Sequence, residues 1–347
     1  MENVFEKIAN KELEGRFLSL CDEKKFMPAR EAITDICSRI QDKDGNFIEQ
    51  FQTSGFEQRL WEIMLFGIFE AEGFEIKQVH DRPDFEIVKN EKTSFVEATT
   101  SNIKEGDNTS KDLITIVKSK DPEEKRIKAF NELKDYYIEK IGSALYSKTQ
   151  KNYQELDWVK EKPIVIAISP IHDEFARQIS DSLLITYLYG YEFQSTEDNQ
   201  GNLVKLDYIE KNIFEKRNKS EIEPFFESED SKYISAVLFS NDLTTDKFNR
   251  MGFINGHTEN IIIVRSCDIY DPEGSKPKTV FYDLRNTEIQ EDWKQGISKF
   301  HNPNALYPLD EDQFKGFRQV WFRDGKLDGY MPDFHPYTSE TMSDLLE

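Results

Sequence analysis

The chain predicts an α/β protein with an α-β-β-β-α-β core over residues 56–168, and three stretches carry that prediction. Leu60, Ile63/Met64, Gly67/Ile68 and Ala71 recur at helical spacing between Phe56 and Gly73. Three short β-type runs follow, over 74–79, 84–88 and 94–99, divided by charged or turn-prone residues. Pro163-Ile-Val-Ile-Ala-Ile168 is apolar throughout, as a strand buried on both faces must be. Helix before strands, and helix again before the last strand, imply a mixed sheet flanked by helices.

The remaining elements follow in order. Residues 1–55 read as an N-terminal helical cap, with an apolar stripe at Ile33, Ile36/Cys37 and Ile40, and a turn signal at Lys43-Asp-Gly-Asn46. Gly73 ends the first core helix as a C′ residue. Period-two alternation shows in Phe85-Glu-Ile-Val and in Phe95-Val-Glu-Ala. Residues 101–120 are polar and predict a loop. Asp121-Pro-Glu-Glu124 starts a helix, with Asp as N-cap, Pro at N1 and an acid at N3. Its pattern runs to about Asp157, with a break expected near Gly142-Ser143. A further helix is expected over 174–188.

Composition turns polar at about residue 190, and 191–232 reads as a boundary or loop-rich insertion. The expected division is a cap (1–55), a core (56–190) and a C-terminal α+β extension (191–347) that could pack on the core. In the extension, strands are expected over 234–239, 260–265 and 279–284, and a helix near 288–297.

At 347 residues the chain can bury a sizeable core. No apolar run approaches the roughly 18 residues of a membrane helix, so no membrane partner is expected. Met1-Glu2-Asn3 does not open a signal peptide. Cys21, Cys37 and Cys267 are scattered and odd in number, which fits reduced thiols in a cytoplasm. The net charge of -21 opposes phosphate binding if it is uniform. It is not: from Lys111 to Val165, 12 Lys/Arg face 10 Asp/Glu, leaving +2 there and -23 elsewhere. The 26 Phe, 14 Tyr and 4 Trp are mostly core candidates, though some could stack single-stranded bases.

Three carboxylates carry the candidate chemistry. Asp84 follows Pro83 at a strand start, Glu97 lies inside the next strand, and Glu62 sits on the preceding helix between Trp61 and Ile63. If the strands pair as a hairpin, Asp84 and Glu97 share a face. Singly, an Asp after Pro is ordinarily a turn residue and a strand Glu ordinarily faces solvent. Together they form a hard-oxygen ligand set for Mg2+ or Mn2+. Such a metal could polarise a phosphodiester and activate water. Val96 and Ala98 flank Glu97 in a run fit for burial, and a buried acid needs a partner or a metal.

The segment Glu62…Pro83-Asp84…Glu97 resembles the PD-(D/E)xK superfamily, the restriction-endonuclease-like nucleases. More narrowly, the chain looks like an uncharacterised bacterial family of such proteins. The similarity rests on Arg59-Leu-Trp-Glu62, Pro83-Asp-Phe85, Val96-Glu-Ala-Thr99, Gly142-Ser-Ala-Leu-Tyr-Ser-Lys148, Lys162-Pro-Ile-Val-Ile-Ala-Ile168, Phe248-Asn-Arg-Met-Gly252 and His301-Asn-Pro-Asn-Ala305. It spans about residues 47–340. It implies a Mg2+-dependent nuclease, with DNA favoured over RNA, RNA not excluded, and a role in defence against foreign DNA. Glu62, Asp84 and Glu97 would be the metal ligands. A homodimer or partner protein is compatible with it.

One motif departs from the superfamily. Where Glu-x-Lys is expected the chain has Glu97-Ala98-Thr99, and a threonine cannot supply the lysine's charge. Lys148 is the expected substitute, because Ile138, Ile141, Leu145, Lys148 and Asn152 fall on one helical stripe. Related nucleases resemble this arrangement in sometimes carrying the lysine on that helix. Gln150 and Lys151 are weaker candidates. The alternative is a degenerate site that binds nucleic acid, a nucleotide or a protein without cutting. His80 precedes Asp84 closely enough to reach the site's edge, although it reads better as a surface loop residue. His301-Asn302 lacks the paired His or zinc cysteines of an HNH nuclease, and Gly252-Phe-Ile-Asn-Gly256 lacks the Lys-Ser/Thr of a phosphate loop.

Overall fold

A computed structural model describes residues 1, 3–43, 45–102, 106–171, 175–199, 203–211, 213–215, 221–257, 260–271, 276–286 and 288–346. The first quarter is helical: α1 (Gly15–Asp22), α2 (Met27–Arg39), α3 (Phe47–Gln52) and α4 (Phe56–Ala71). There follow β1 (Glu75–Lys77), β2 (Phe85–Lys89), β3 (Lys92–Ser101), α5 (Thr109–Lys118), α6 (Glu123–Thr149), β4 (Ile164–Pro170) and α7 (Asp181–Tyr189). Then come β5 (Tyr191–Glu197), β6 (Leu203–Glu210), β7 (Phe214–Glu215), β8 (Glu221–Ile222), β9 (Ala236–Ser240) and α8 (Thr245–Ile254). The chain closes with β10 (Ile261–Ile269), β11 (Lys278–Asp283), β12 (Ile297–His301), β13 (Arg318–Arg323), β14 (Lys326–Tyr330) and β15 (Pro336–Leu345).

The centre is an eight-stranded mixed sheet in the order β1-β2-β3-β4-β9-β12-β13-β14. Strands β3, β4 and β9 run parallel to one another, β2 and β12 join them antiparallel, and β1 pairs antiparallel with β2. A smaller sheet, β11-β10-β15, lies beside it. The sheet therefore crosses the composition change at residue 190, taking β9, β12, β13 and β14 from beyond it. Alternation along β4 sends Val165 and Ala167 to one face, among α2, α4 and α8, and Ile164, Ile166 and Ile168 to the other, among α6 and α7. The result is an α/β fold with a large mixed sheet flanked by helices. Among the described residues, no helix is long and apolar enough to cross a membrane.

Several expected features differ. The polar stretch 101–120 contains α5, whose Leu113 and Ile114 pack on the α6 side of the sheet. Helix α6 is continuous through Gly142, which is small because a Cβ there would meet the Tyr187 hydroxyl at 2.6 Å. It stops at Thr149, and Asn152 takes a left-handed conformation (φ 51°) instead of extending it to residue 157. The expected helix near 288–297 is a series of bends and turns leading into β12. There Glu291 is held by Arg250 (2.9 Å) and Arg265 (2.8 Å), and Gly296 at φ 77° ends the turn; these contacts override the helical periodicity. The helix start is displaced by one residue: Pro122 is the N-cap and Glu123 the first helical residue.

Candidate functional site

The site forms where β2 peels away from β3. Asn90 and Glu91, both left-handed (φ 52° and 63°), make the tight turn joining the two strands. The register pairs Phe85 with Val96, so Asp84 and Glu97 are the next opposed positions. Phe95 N–H bonds across to Pro163 O on the β4 side, so the amides of Val96 and Ala98 face β2. The next rung would join Ala98 to Pro83; proline has no N–H to give Ala98 O, and the Asp84 carboxylate takes Ala98 N–H in place of the Pro83 carbonyl. The ladder ends there, and side chains take both backbone groups of Ala98. Asp84 Oδ2 accepts from Ala98 N–H at 2.7 Å, and Gln58 Nε2 donates to Ala98 O at 3.2 Å.

The inner faces of β2 and β3 fix the rest. Phe85, Val96 and Ala98 pack under α4, so alternation turns Glu97 to the α6 side, while Asp84, just before β2, stands at the open edge and lines a cleft with Glu62. Helix α4 is anchored by Trp61, whose indole N–H donates to Ala167 O at 3.0 Å. That contact sets Glu62 at the fork from the opposite face.

Each carboxylate has identified company. Glu62 Oε2 is 2.5 Å from Arg59 Nη1, and its Oε1 accepts from Gln58 at 3.0 Å. Arg59 is itself braced by Gln50 Oε1 at 2.9 and 2.6 Å. Glu97 Oε1 is 2.6 Å from Lys148 Nζ. Asp84 is solvent-exposed at the floor of an open cleft, yet it is densely surrounded by protein. Desolvation first, then the charges of Glu97 and Glu62, hold its carboxyl well above the usual carboxylate range. Burial raises Glu62 too, with Arg59 and Gln58 opposing and Glu97 adding to the rise. Tyr153, buried beside Glu97, has its phenol pushed upward by burial and then by the charge and hydrogen bond of Glu97.

A cleft of about 110 Å3 opens on Glu62 and Asp84, walled by Lys43, Asn46, Arg59 and His80. Asn46 Oδ1 is a buried acceptor without a hydrogen-bond partner among the described residues. His80 stacks on Trp158 with ring centroids 4.3 Å apart.

Glu62, Asp84, Glu97 and Lys148 are thus brought to one fork. Gln150 and Lys151 are exposed and bond away from it or only locally. His172 lies outside the described residues. His301 and Asn302 are elsewhere and structural: His301 Nε2 meets Gln319 Oε1 at 3.1 Å, and Asn302 Nδ2 donates to Ser231 O and Ile234 O at 3.0 and 2.8 Å. Sequence reasoning missed the roles of Gln58, Arg59 and Tyr153. Gln58 and Arg59 had a signal, their i,i+4 and i,i+3 spacing to Glu62. Tyr153, in a short turn after α6, had none.

The donor chemistry fits a hard divalent cation held through Asp84 and Glu97, since Mg2+ commonly takes one or two carboxylates and keeps its waters. Among the described residues, however, no three His, Cys, Asp or Glu side chains are grouped to hold a metal ion. Glu62 would join only if Arg59 released it. No protein-family model matches the chain, and the comparisons with curated proteins and with solved structures returned no match.

Proposed function

We propose that the chain is a metal-dependent nuclease of restriction-endonuclease-like fold that hydrolyses phosphodiester bonds, of DNA in the first instance. The observation that carries this reading is the contact of Lys148 with Glu97 at 2.6 Å beside Asp84. It offers a lysine at the fork where Thr99 cannot act. Asp84 and Glu97 would hold Mg2+ or Mn2+, which when bound would supply positive charge at the phosphoryl oxygens and lower the pKa of a bound water.

The chain's own groups have separable tasks. The Lys148 ammonium would orient the attacking water and offset the negative charge that develops on the phosphorus oxygens. Asp84 and Glu97, on opposed strand positions, keep two carboxylates facing the same open edge. Arg59 and Gln58 hold Glu62 in place, and Tyr153 braces Glu97 from below α6. Asp84, exposed in its cleft, gives the substrate a path in.

A second reading has one observation in its favour. Arg59 neutralises Glu62 and Lys148 neutralises Glu97 without any metal. A fork so balanced suits a degenerate fold that binds a partner without cutting.

Plasmid nicking by the purified chain in Mg2+ or Mn2+ separates the two. The nuclease reading expects nicking that Asp84→Ala and Glu97→Ala abolish. Nicking that survives Asp84→Ala, or a wild type that neither nicks nor gains thermal stability from Mn2+, would remove it and leave the binding module.

A further inference from the structure

A second cavity, of about 760 Å3, lies on the same sheet edge as the fork but outside it. Its position follows from topology. Strands β4 and β9 are adjacent and parallel, so their carboxyl ends share an edge with that of β3. From β4 the chain leaves for α7, which packs on one face of the sheet; from β9 it leaves for α8, which packs on the other. Connections diverging to opposite faces open a crevice between two strand ends, the place where α/β sheets take ligands. The volume lies within the range of small-molecule sites.

The walls have three kinds of chemistry. The turn Ala176–Gln178 after β4 brings Arg177, which no hydrogen bond or ion pair ties down among the described residues. Beside it Lys118 Nζ lies over the Phe175 ring at 4.3 Å. After β9, Thr244 caps α8 by accepting from Lys247 N–H at 3.0 Å, and Asp246 stands in the first turn. Asp246 is largely enclosed, and burial raises its carboxyl pKa against the pull of Arg250 and Arg177.

The third wall is the small sheet, and its hydroxyls are already oriented. Thr279 and Thr338 donate to Asp268 at 2.7 and 2.8 Å, which leaves their lone pairs outward. Ser339 accepts from Arg265 at 2.9 Å and Thr341 from Arg250 at 2.6 Å, which leaves their hydroxyl hydrogens to donate. Asp242 is neutralised by Arg250 and Arg265, which leaves Asp246, Asp268 and Glu340 as the carboxylates on the walls beside Arg177 and Lys118.

We infer that this crevice binds a nucleoside phosphate, with Arg177 and Lys118 on the phosphate, Asp246 and the hydroxyl wall on the sugar, and Phe175 against the base. Cations alone would suit any anion. A carboxylate and paired hydroxyl donors and acceptors opposite them select a ligand that carries a diol as well. A free nucleotide carries both groups, whereas the 5′ end of a strand offers the phosphate but has its 3′ oxygen esterified and so lacks the diol.

The test uses the full chain, with thermal shift and calorimetry against ATP, AMP, adenosine, inorganic phosphate and a 5′-phosphorylated oligonucleotide. ATP or AMP should bind and raise the melting temperature. Arg177→Ala should weaken binding at least tenfold while leaving the unliganded melting temperature unchanged. Asp246→Asn should weaken nucleotide binding and leave any phosphate binding alone. Displacement of the nucleotide by the oligonucleotide, which offers the phosphate without the diol, overturns the diol selection, and its absence supports a free nucleotide. No nucleotide binding by wild type, binding undiminished in Arg177→Ala, or a full response to inorganic phosphate alone overturns it. Asp84→Ala should retain nucleotide binding, so this site is tested apart from the nuclease reading.

Discussion

Lys148 and Glu97 meet at 2.6 Å although 51 residues separate them in the chain. The strand supplies the acid, the long helix supplies the base, and the two are held in register by Phe95, Ile138, Ile141 and Leu145 in the core between them. The contact places an ammonium where it can serve a reaction, and also where it competes with a cation for the same carboxylate.

Those two consequences point in opposite directions and can be measured together. Lys148→Met should lower nicking by roughly 10²–10³-fold, the usual loss when one preorganised electrostatic donor is removed. It should also shift the Mn2+ midpoint of thermal stabilisation to lower concentration, because Glu97 is freed. A Mn2+ midpoint that rises instead would make Lys148 part of the metal's support.

The fork should cost stability at high pH. Asp84 has a folded pKa raised above its unfolded value near 3.8. Below the unfolded value both states carry the proton and no penalty applies. As pH rises from there toward the raised folded value, the unfolded state releases its proton first and stability falls. Asp84→Asn should therefore raise the melting temperature more at pH 8 than at pH 4. Equal gains at both would show that Asp84 carries no such strain.

The buried knot of Arg250, Arg265, Asp242 and Glu291 should behave with the opposite sign. Glu291 is held down to about 2 and favours folding above its unfolded value near 4.5. That contribution is lost as pH falls from there toward 2. Glu291→Gln at neutral pH leaves two arginines short of a partner and should cost about 3–5 kcal/mol, read by urea unfolding. Removing Glu291 together with Arg265 should cost less than the two single changes added.

Two helix glycines should differ in how much they tolerate. At Gly252 a Cβ would fall 1.9 Å from Pro28 O, a backbone atom of α2, and neither helix can yield easily. Gly252→Ala should cost at least the ~1–3 kcal/mol typical of overpacking. At Gly142 the obstacle is the Tyr187 hydroxyl, the tip of a side chain, and alanine also favours the helix by up to about 1 kcal/mol. Gly142→Ala should thus lie much nearer to neutral in the same unfolding measurement.

Much of the core was legible because its signals are local. The helix of Leu60 and Ile63, the alternation of Phe85 and Phe95, and the apolar run at Ile164 each declare their own geometry. Lys148 was legible because its stripe continues that of Ile141 and Leu145. What escaped depends on distant partners. Residues 288–297 have helical spacing but are bent by Arg250 and Arg265, which lie dozens of positions away. Helix α5 was hidden by its polar outer face, and the neutralising contact of Arg59 with Glu62 could be spaced but not weighed without knowing how deeply both are buried.

Pro83 gives the fork a significance beyond its carboxylates. Part of the opening is written into the main chain before any acid is placed, because position 83 has no N–H to offer Ala98 O, and Gln58 takes that acceptor instead. The other part is made by Asp84, which holds Ala98 N–H in place of the position-83 carbonyl. The edge of this site is thus set by an absent hydrogen on one side and by a carboxylate on the other.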